Sequence, residues 1–291
     1  MSLTIFLLAI FSGALNSTWN FFIKKNASDY SVMITGVCVA NLTVLPITIL
    51  IIGLHGFDYH AIPFLIATGA IEAVDFYMLT IIYKVSDISM AYPVSRGTGV
   101  MLTALFSALI LKEHISGIAI IGIITVLFGV FFFALNKGTN PKMIWESLKA
   151  QKLALIKGFT IVAYTLVDRV GAKYANPLVY FNFKEVVAMS LLIPFLAHGG
   201  TLTFRHMKET FKNHGKAALA IGYGIICSYV LILIIYNVFA EAKASYVTVI
   251  RESAVVFGAL LGFIFLREKA TPNKIAGILT IVLGVILIKV G

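Results

Sequence analysis

Ten runs of about twenty apolar residues, separated by short polar breaks, constrain this chain more than any other feature. They are Leu3–Phe22, Val32–Ile52, Ala61–Tyr83, Ile88–Leu111, Gly117–Leu135, Leu153–Lys173, Leu178–His198, Ala217–Asn237, Ala244–Leu266 and Lys274–Lys289. In lipid every backbone N–H and C=O must be paired within the protein, so only helices and closed barrels can span. A barrel strand is about ten residues of alternating polarity, and these runs are longer and do not alternate. The chain is therefore expected to be an all-α integral membrane protein with ten transmembrane helices. Composition agrees, because only 12% of residues are charged, about half the share of a soluble domain.

The first run begins at Leu3, lacks a basic leader and continues to Lys24 and Lys25, so it reads as a span rather than a cleaved signal peptide. Cys38 and Cys227 fall inside runs without metal or redox spacing, and the six histidines form no ligand pattern, so no cofactor is expected. Lysine and arginine collect in the breaks after odd-numbered runs, which places those loops in the cytoplasm and both termini outside. Two basic segments are amphipathic: Met143, Ile144, Trp145 and Leu148 set against Lys142 and Lys149, and Phe204, Met207 and Phe211 set against Arg205, Lys208 and Lys212. They suit an anionic leaflet. The formal net charge of +10 is thereby assigned to the membrane surface, not to nucleic acid, for which no binding motif is present.

The chain also repeats itself. An ungapped shift of 155 aligns Arg96 with Arg251, Leu111-Lys112-Glu113 with Leu266-Arg267-Glu268, Gly122 with Gly277 and Gly129 with Gly284. A shift of 148 aligns Ala40 and Pro46 with Ala188 and Pro194. The repeats are residues 1–136 and 153–291, joined by a basic amphipathic linker at 137–152. Each holds five runs, an odd number, so the second should enter the membrane inverted. Inverted repeats around a central cavity are the architecture of secondary transporters.

Ala91-Tyr92-Pro93-Val94-Ser95-Arg96 with Leu111-Lys112-Glu113, and Arg251-Glu252-Ser253-Ala254-Val255-Val256-Phe257 with Leu266-Arg267-Glu268, resemble the paired motifs of prokaryotic EamA-type permeases of the drug/metabolite transporter superfamily. The resemblance covers the whole chain. It implies a ten-helix basket in a prokaryotic plasma (inner) membrane that exports or exchanges small metabolites such as amino acids.

An ionisable side chain inside a span costs a few kcal/mol and is by default a functional candidate. In the first repeat Glu72 and Asp75 share a face of the third run, and Asp75 lies at a depth similar to that of Arg96 on the fourth. Glu72 and Asp75 have no acidic counterparts at the shift of 155, where Cys227 and Val230 stand, which suggests a special task in proton coupling or amine binding. In the second repeat Lys184 and Glu185 on the seventh run face Arg251 and Glu252 on the ninth, with Glu185–Arg251 and Lys184–Glu252 as expected pairs. Inversion is expected to place the two groups toward opposite faces of the cavity, as alternating gates or as flanks of a zwitterionic or anionic substrate. Asp168-Arg169 reads as an interfacial pair. Further candidates for binding or gating are Tyr77, Tyr92, Asn182 and Tyr229, and for the cavity lining Asn16, Trp19, Asn20, Tyr164 and Tyr246. The glycines of the fifth and tenth runs, and Gly258 and Gly262 on the ninth, suit close helix packing.

The expected function is secondary active transport of a small polar or amphipathic, amino-acid-like metabolite by alternating access. Partners are the substrate, the bilayer and the proton, a candidate coupling ion carried by Glu72, Asp75, Glu185 or Glu252. Burial favours the protonated carboxyl and an arginine partner opposes it, so coupling and ion pairing compete for the same groups. The alternatives are a membrane-embedded enzyme using Glu72 and Asp75 as acid and base, for which no HExxH or GxSxG accompanies them, and a non-transporting subunit or sensor, for which the loops are too small.

Overall fold

A computed structural model describes residues 1–25, 30–85, 88–134, 152–198 and 202–291. The linker segment Met143–Lys149 and the Tyr92 side chain lie outside the described set. The helices are α1 (Leu3–Lys25), α2 (Tyr30–His55), α3 (Ile62–Val85), α4 (Ile88–Ile110), α5 (Gly117–Ala134), α6 (Lys152–Gly171), α7 (Pro177–His198), α8 (Phe204–Val238), α9 (Ala244–Ile250), α10 (Ala254–Phe265) and α11 (Pro272–Val290). All ten expected runs are helical. Among the described residues seven helical segments are long and apolar enough to cross a membrane, and two shorter apolar ones are Ser95–Ile110 and Gly117–Phe132. The protein is a multi-pass membrane protein. The α6 run departs from a purely apolar pattern through Lys157, Asp168 and Arg169, all buried.

Two runs differ from expectation. The eighth was expected from Ala217; α8 begins at Phe204 and joins the second amphipathic segment to the span across one non-helical residue, His214. Thr203 starts it by accepting from the His206 N–H at 3.2 Å, and no proline follows to stop it. Its direction changes at His214, where φ −127° and ψ 22° leave the helical region just before Gly215. The ninth run is split, with a 3-10 turn at Arg251–Ser253 between α9 and α10.

The helices join through small residues. A Cβ on Gly284 of α11 would meet the Gly122 carbonyl oxygen and the Val126 nitrogen of α5, both at 2.7 Å, and one on Gly129 would meet Ile281 N at 2.7 Å. The expected role of these glycines in close packing is thus seen directly. Gly36 of α2 and Gly222 of α8 touch in the same way, alongside Ala218 and Ala40. Gly258 and Gly262 depart from the expectation: a Cβ on Gly258 would meet only Ser17 at 3.7 Å, and one on Gly262 would meet the carboxylate of Glu268 in its own chain turn. The principal packings are α11 on α5, α2 and α1 on α8, α4 on α6, α3 on α7 and α6, and α1 on α9 and α10.

The two Leu-basic-Glu motifs form the same turn. Leu111 and Glu113 N–H both donate to Ser107 O, and Leu266 and Glu268 N–H both donate to Gly262 O. Between them Lys112 (φ 54°) and Arg267 (φ 53°) occupy the left-handed region. Glu113 then reaches across to the start of α9, accepting from Ala244 N at 2.6 Å, Ser245 N at 3.1 Å and Ser245 Oγ at 2.7 Å. Unpaired N–H groups at a helix start favour such a carboxylate.

Candidate functional site

The helices enclose a cavity of about 130 Å³. Asn16, Trp19 and Asn20 line it from α1, Glu72 and Asp75 from α3, Arg96 from α4, Lys157 and Tyr164 from α6, Glu185 from α7, Tyr229 from α8, and Arg251 follows α9. Trp19, Asn20, Ile82 and Lys157 lie near the helix ends that lead to the odd-numbered loops, so the cavity occupies that side of the bundle. Arg96, Ile161, Tyr164, Tyr229 and Arg251 form its floor, because the same five side chains also line a smaller hollow reaching Val247 and Thr248.

Members of both charged groups expected on opposite faces line this one cavity: Glu72, Asp75 and Arg96 from the first, Glu185 and Arg251 from the second. The reason is the close approach of α3 and α7: a Cβ on Gly69 would stand 2.7 Å from the Lys184 carbonyl oxygen. The pairs also differ from expectation. Glu252 holds Arg96, and Glu72 holds Lys184. Asp75 takes Lys157 Nζ at 2.7 Å and Thr160 Oγ1 at 2.5 Å rather than Arg96. Arg251 donates to Asn16 Oδ1 at 3.2 Å, not to Glu185. The sequence-based pairs assumed that neighbours within one repeat meet, whereas α4 packs against α9, and α3 against α7.

Asp168 and Arg169, expected at an interface, are buried. Asp168 accepts from Tyr229 Oη at 2.5 Å, Tyr180 Oη at 3.0 Å and Lys184 Nζ at 3.3 Å. Arg169 turns away, donating to Ala240 O at 2.9 Å. Asp168 and Lys157 are therefore parts of the site that were missed. For Lys157 a signal existed, since it is a lysine inside an apolar run; for Asp168 the partners come from two other helices and left no local trace.

Five candidates stand away from the cavity lining: Lys184 and Glu252, which pair with the lining residues Glu72 and Arg96 from behind, and Tyr77, Asn182 and Tyr246. Tyr77 packs edge-on against Phe195, with ring centroids 4.8 Å apart. Asn182 is fully buried and donates to Asn41 O and Oδ1 at 3.0 and 3.1 Å, tying α7 to α2. Tyr246 accepts from Ser116 N at 3.2 Å, next to the Glu113 contact at the opposite end of the bundle. Asn16, Trp19, Asn20 and Tyr164, expected in the cavity lining, are there.

The walls combine charge with aromatic surface. Tyr229 Oη reaches Asp168 while its ring lies 3.8 Å from Lys184 Nζ and 5.3 Å from the Arg251 guanidinium. Such cation–π contacts hold charge on the ring face without neutralising it. Buried atoms without a protein partner include Glu72 Oε2, Glu185 Oε2 and Arg251 Nε. Buried polar groups are nearly always hydrogen-bonded to protein or to water, so these atoms have hydrogen-bonding capacity to spare.

Comparison with known proteins follows from this arrangement. Residues 148–290 match the EamA-like transporter family. That match lies in the second of the two repeated segments. The EamA-like family lies in the drug/metabolite transporter superfamily. The crystal structure of one protein aligns over 99% of this chain and 98% of its own, with a TM-score of 0.74 and 14% identity, which shows a shared fold. Among curated proteins none matches the sequence.

Proposed function

We propose that this protein is a secondary active transporter that carries a small polar or amphipathic, amino-acid-like metabolite by alternating access, as an exporter or exchanger in a prokaryotic plasma membrane. The observation that carries the reading is the single charged cavity between residues 1–136 and 153–291, to which both segments contribute ion-pair partners. Inverted five-helix repeats are supported by packing that recurs on exchanging the segments: α4 lies on α6 as the ninth run lies on α1, and α3 lies on α6 and α7 as α8 lies on α1 and α2. Rocking of one repeat on the other would move the opening from one end of the cavity to the other. The lysine and arginine distribution supports cytoplasmic odd-numbered loops and external termini.

The test is release from proteoliposomes. Vesicles holding the purified protein and loaded with a mixture of small metabolites should release a subset faster than empty vesicles, identified by mass spectrometry of the medium. Equal release with and without the protein, for every compound, would sink the transport reading.

A further inference from the structure

We infer that Arg251 is the anion subsite of the cavity and that the Glu72–Glu185 wall is its ammonium subsite, so that the substrate is a zwitterion carrying a carboxylate and an amine. This rests on the transport reading only for its purpose, since the subsites concern binding.

The two repeat-equivalent arginines differ in what answers them. At the shift of 155 Arg96 and Arg251 coincide, but Glu252 coincides with Gly97. In the structure Arg96 takes Glu252 from the other repeat. The carboxylate that would answer Arg251 by the same rule would stand at position 97, where a glycine leaves open space: a Cβ there would meet only a Leu127 methyl at 4.0 Å. Loss of symmetry at this one position thus leaves Arg251 with an amide oxygen, an aromatic ring and, among the described residues, no carboxylate within ion-pair distance. A guanidinium on a cavity wall with an unused N–H matches a carboxylate in geometry and charge.

The opposite wall carries the complementary excess. Lys184 alone serves both Glu72 and Asp168, and Lys157 is taken by Asp75. Glu185, 2% exposed and beside Glu72, has no cation within ion-pair distance among the described residues. One oxygen on each of Glu72 and Glu185 is buried without a partner. With Arg96, Lys157 and Lys184 matched, the cavity presents one positive group on the floor and negative groups on the α3–α7 wall. A zwitterion answers both. A simple anion leaves Glu185 unmatched, and a simple cation leaves Arg251 unmatched. Arg96, lining the same floor, is on this account a structural partner of Glu252 and not a ligand.

The experiment is a binding series on the full-length protein in detergent. Replacing Trp145 by Phe leaves Trp19 as the single tryptophan, on the cavity wall, and its fluorescence reports occupancy. The probes are a panel of L-α- and ω-amino acids, their methyl esters, which keep only the cation, and their N-acetyl forms, which keep only the anion. At least one free amino acid should bind, with its ester and its N-acetyl form more than about tenfold weaker, because one partner of a buried charged pair is left unmatched. Arg251→Gln should abolish the advantage of the free amino acid over its ester, and Arg251→Lys should restore part of it. Glu185→Gln should narrow the gap to the N-acetyl form.

The ligand series on the Trp145→Phe protein stands even where a cavity variant fails to fold. Esters or N-acetyl forms binding as tightly as the free compounds would overturn the inference, as would an unchanged preference in folded Arg251→Gln protein, or no binding by any zwitterion of the panel. Binding with the predicted preference but no release from vesicles would overturn transport and leave the subsites standing. Release of compounds lacking either charge, with no binding of zwitterions, would do the reverse.

Discussion

At the residue scale the governing fact is that breaking a matched pair of ionised groups inside the bundle costs far more than never having made it. Removing one partner of a buried pair leaves the other without water or counter-charge, at a cost of about 3–5 kcal/mol, while removing both is far milder. Arg96 and Glu252, with side-chain exposures of 12% and 2%, fall under this rule. Glu252→Gln should therefore lower the melting temperature of the purified protein markedly, and Arg96→Gln combined with Glu252→Gln should recover most of the loss. Arg251→Gln strands no carboxylate and should melt closer to the parent. Equal destabilisation by Glu252→Gln and Arg251→Gln would mean that the two arginines are equivalent structural ties. Which ionisable residues lie inside the membrane was legible in the sequence, from their positions in apolar runs. Their partners were not, because the Lys184–Glu72 and Arg96–Glu252 pairs join residues more than a hundred positions apart.

At the element scale, helices in lipid lack a hydrophobic drive to associate and depend on close backbone approach. The α5–α11 contact has that character, since Gly284 faces the backbone of Gly122 and Val126, which cannot move aside as a flexible side chain would. Gly284→Val should cost about 1–3 kcal/mol or more, the range for overpacking a filled interior, read as a lowered melting temperature. Gly258→Ala has room for the added methyl and should change stability by about 0.5–1 kcal/mol at most, toward greater stability. A large loss at Gly258 would reinstate its GxxxG as a packing motif. Spacing named both sets of glycines; only the neighbouring surface separates them, because Gly262 turns toward Glu268 of its own chain turn and not toward another helix. The stretch of α8 before its break at His214 has a local origin: Thr203 caps the amphipathic part, and the span resumes just past the break, near the Ala217 boundary that polarity located.

At the scale of the whole molecule, the cavity and its floor make a prediction about access. In a Cys38→Ser, Cys227→Ser background, a cysteine replacing Asn20 should react rapidly with a membrane-impermeant thiol reagent from the side of the odd-numbered loops. A cysteine replacing Thr248, beyond the Arg96–Ile161–Tyr164–Tyr229–Arg251 floor, should react at least about tenfold more slowly from that side, as local opening must come first. Similar rates would show that the floor is no barrier. The Glu113 carboxylate at the start of α9, with Tyr246 and Ser116 beside it, ties the two segments at the far end of the bundle.

The sequence by itself determined the membrane class, the ten runs, the internal repeat and the identity of most cavity charges, because each is written in local polarity or in a fixed offset along the chain. Lipid permits little else for runs of this length. The tertiary structure alone decided that members of the two charged groups share one cavity, that Lys157 lines it while Asp168 braces Lys184 and Tyr229 behind its wall, and that Arg96 is answered by Glu252 while Arg251 is not. Those outcomes depend on which helix faces meet and how closely, quantities set by packing across the whole bundle and unreadable from any one helix.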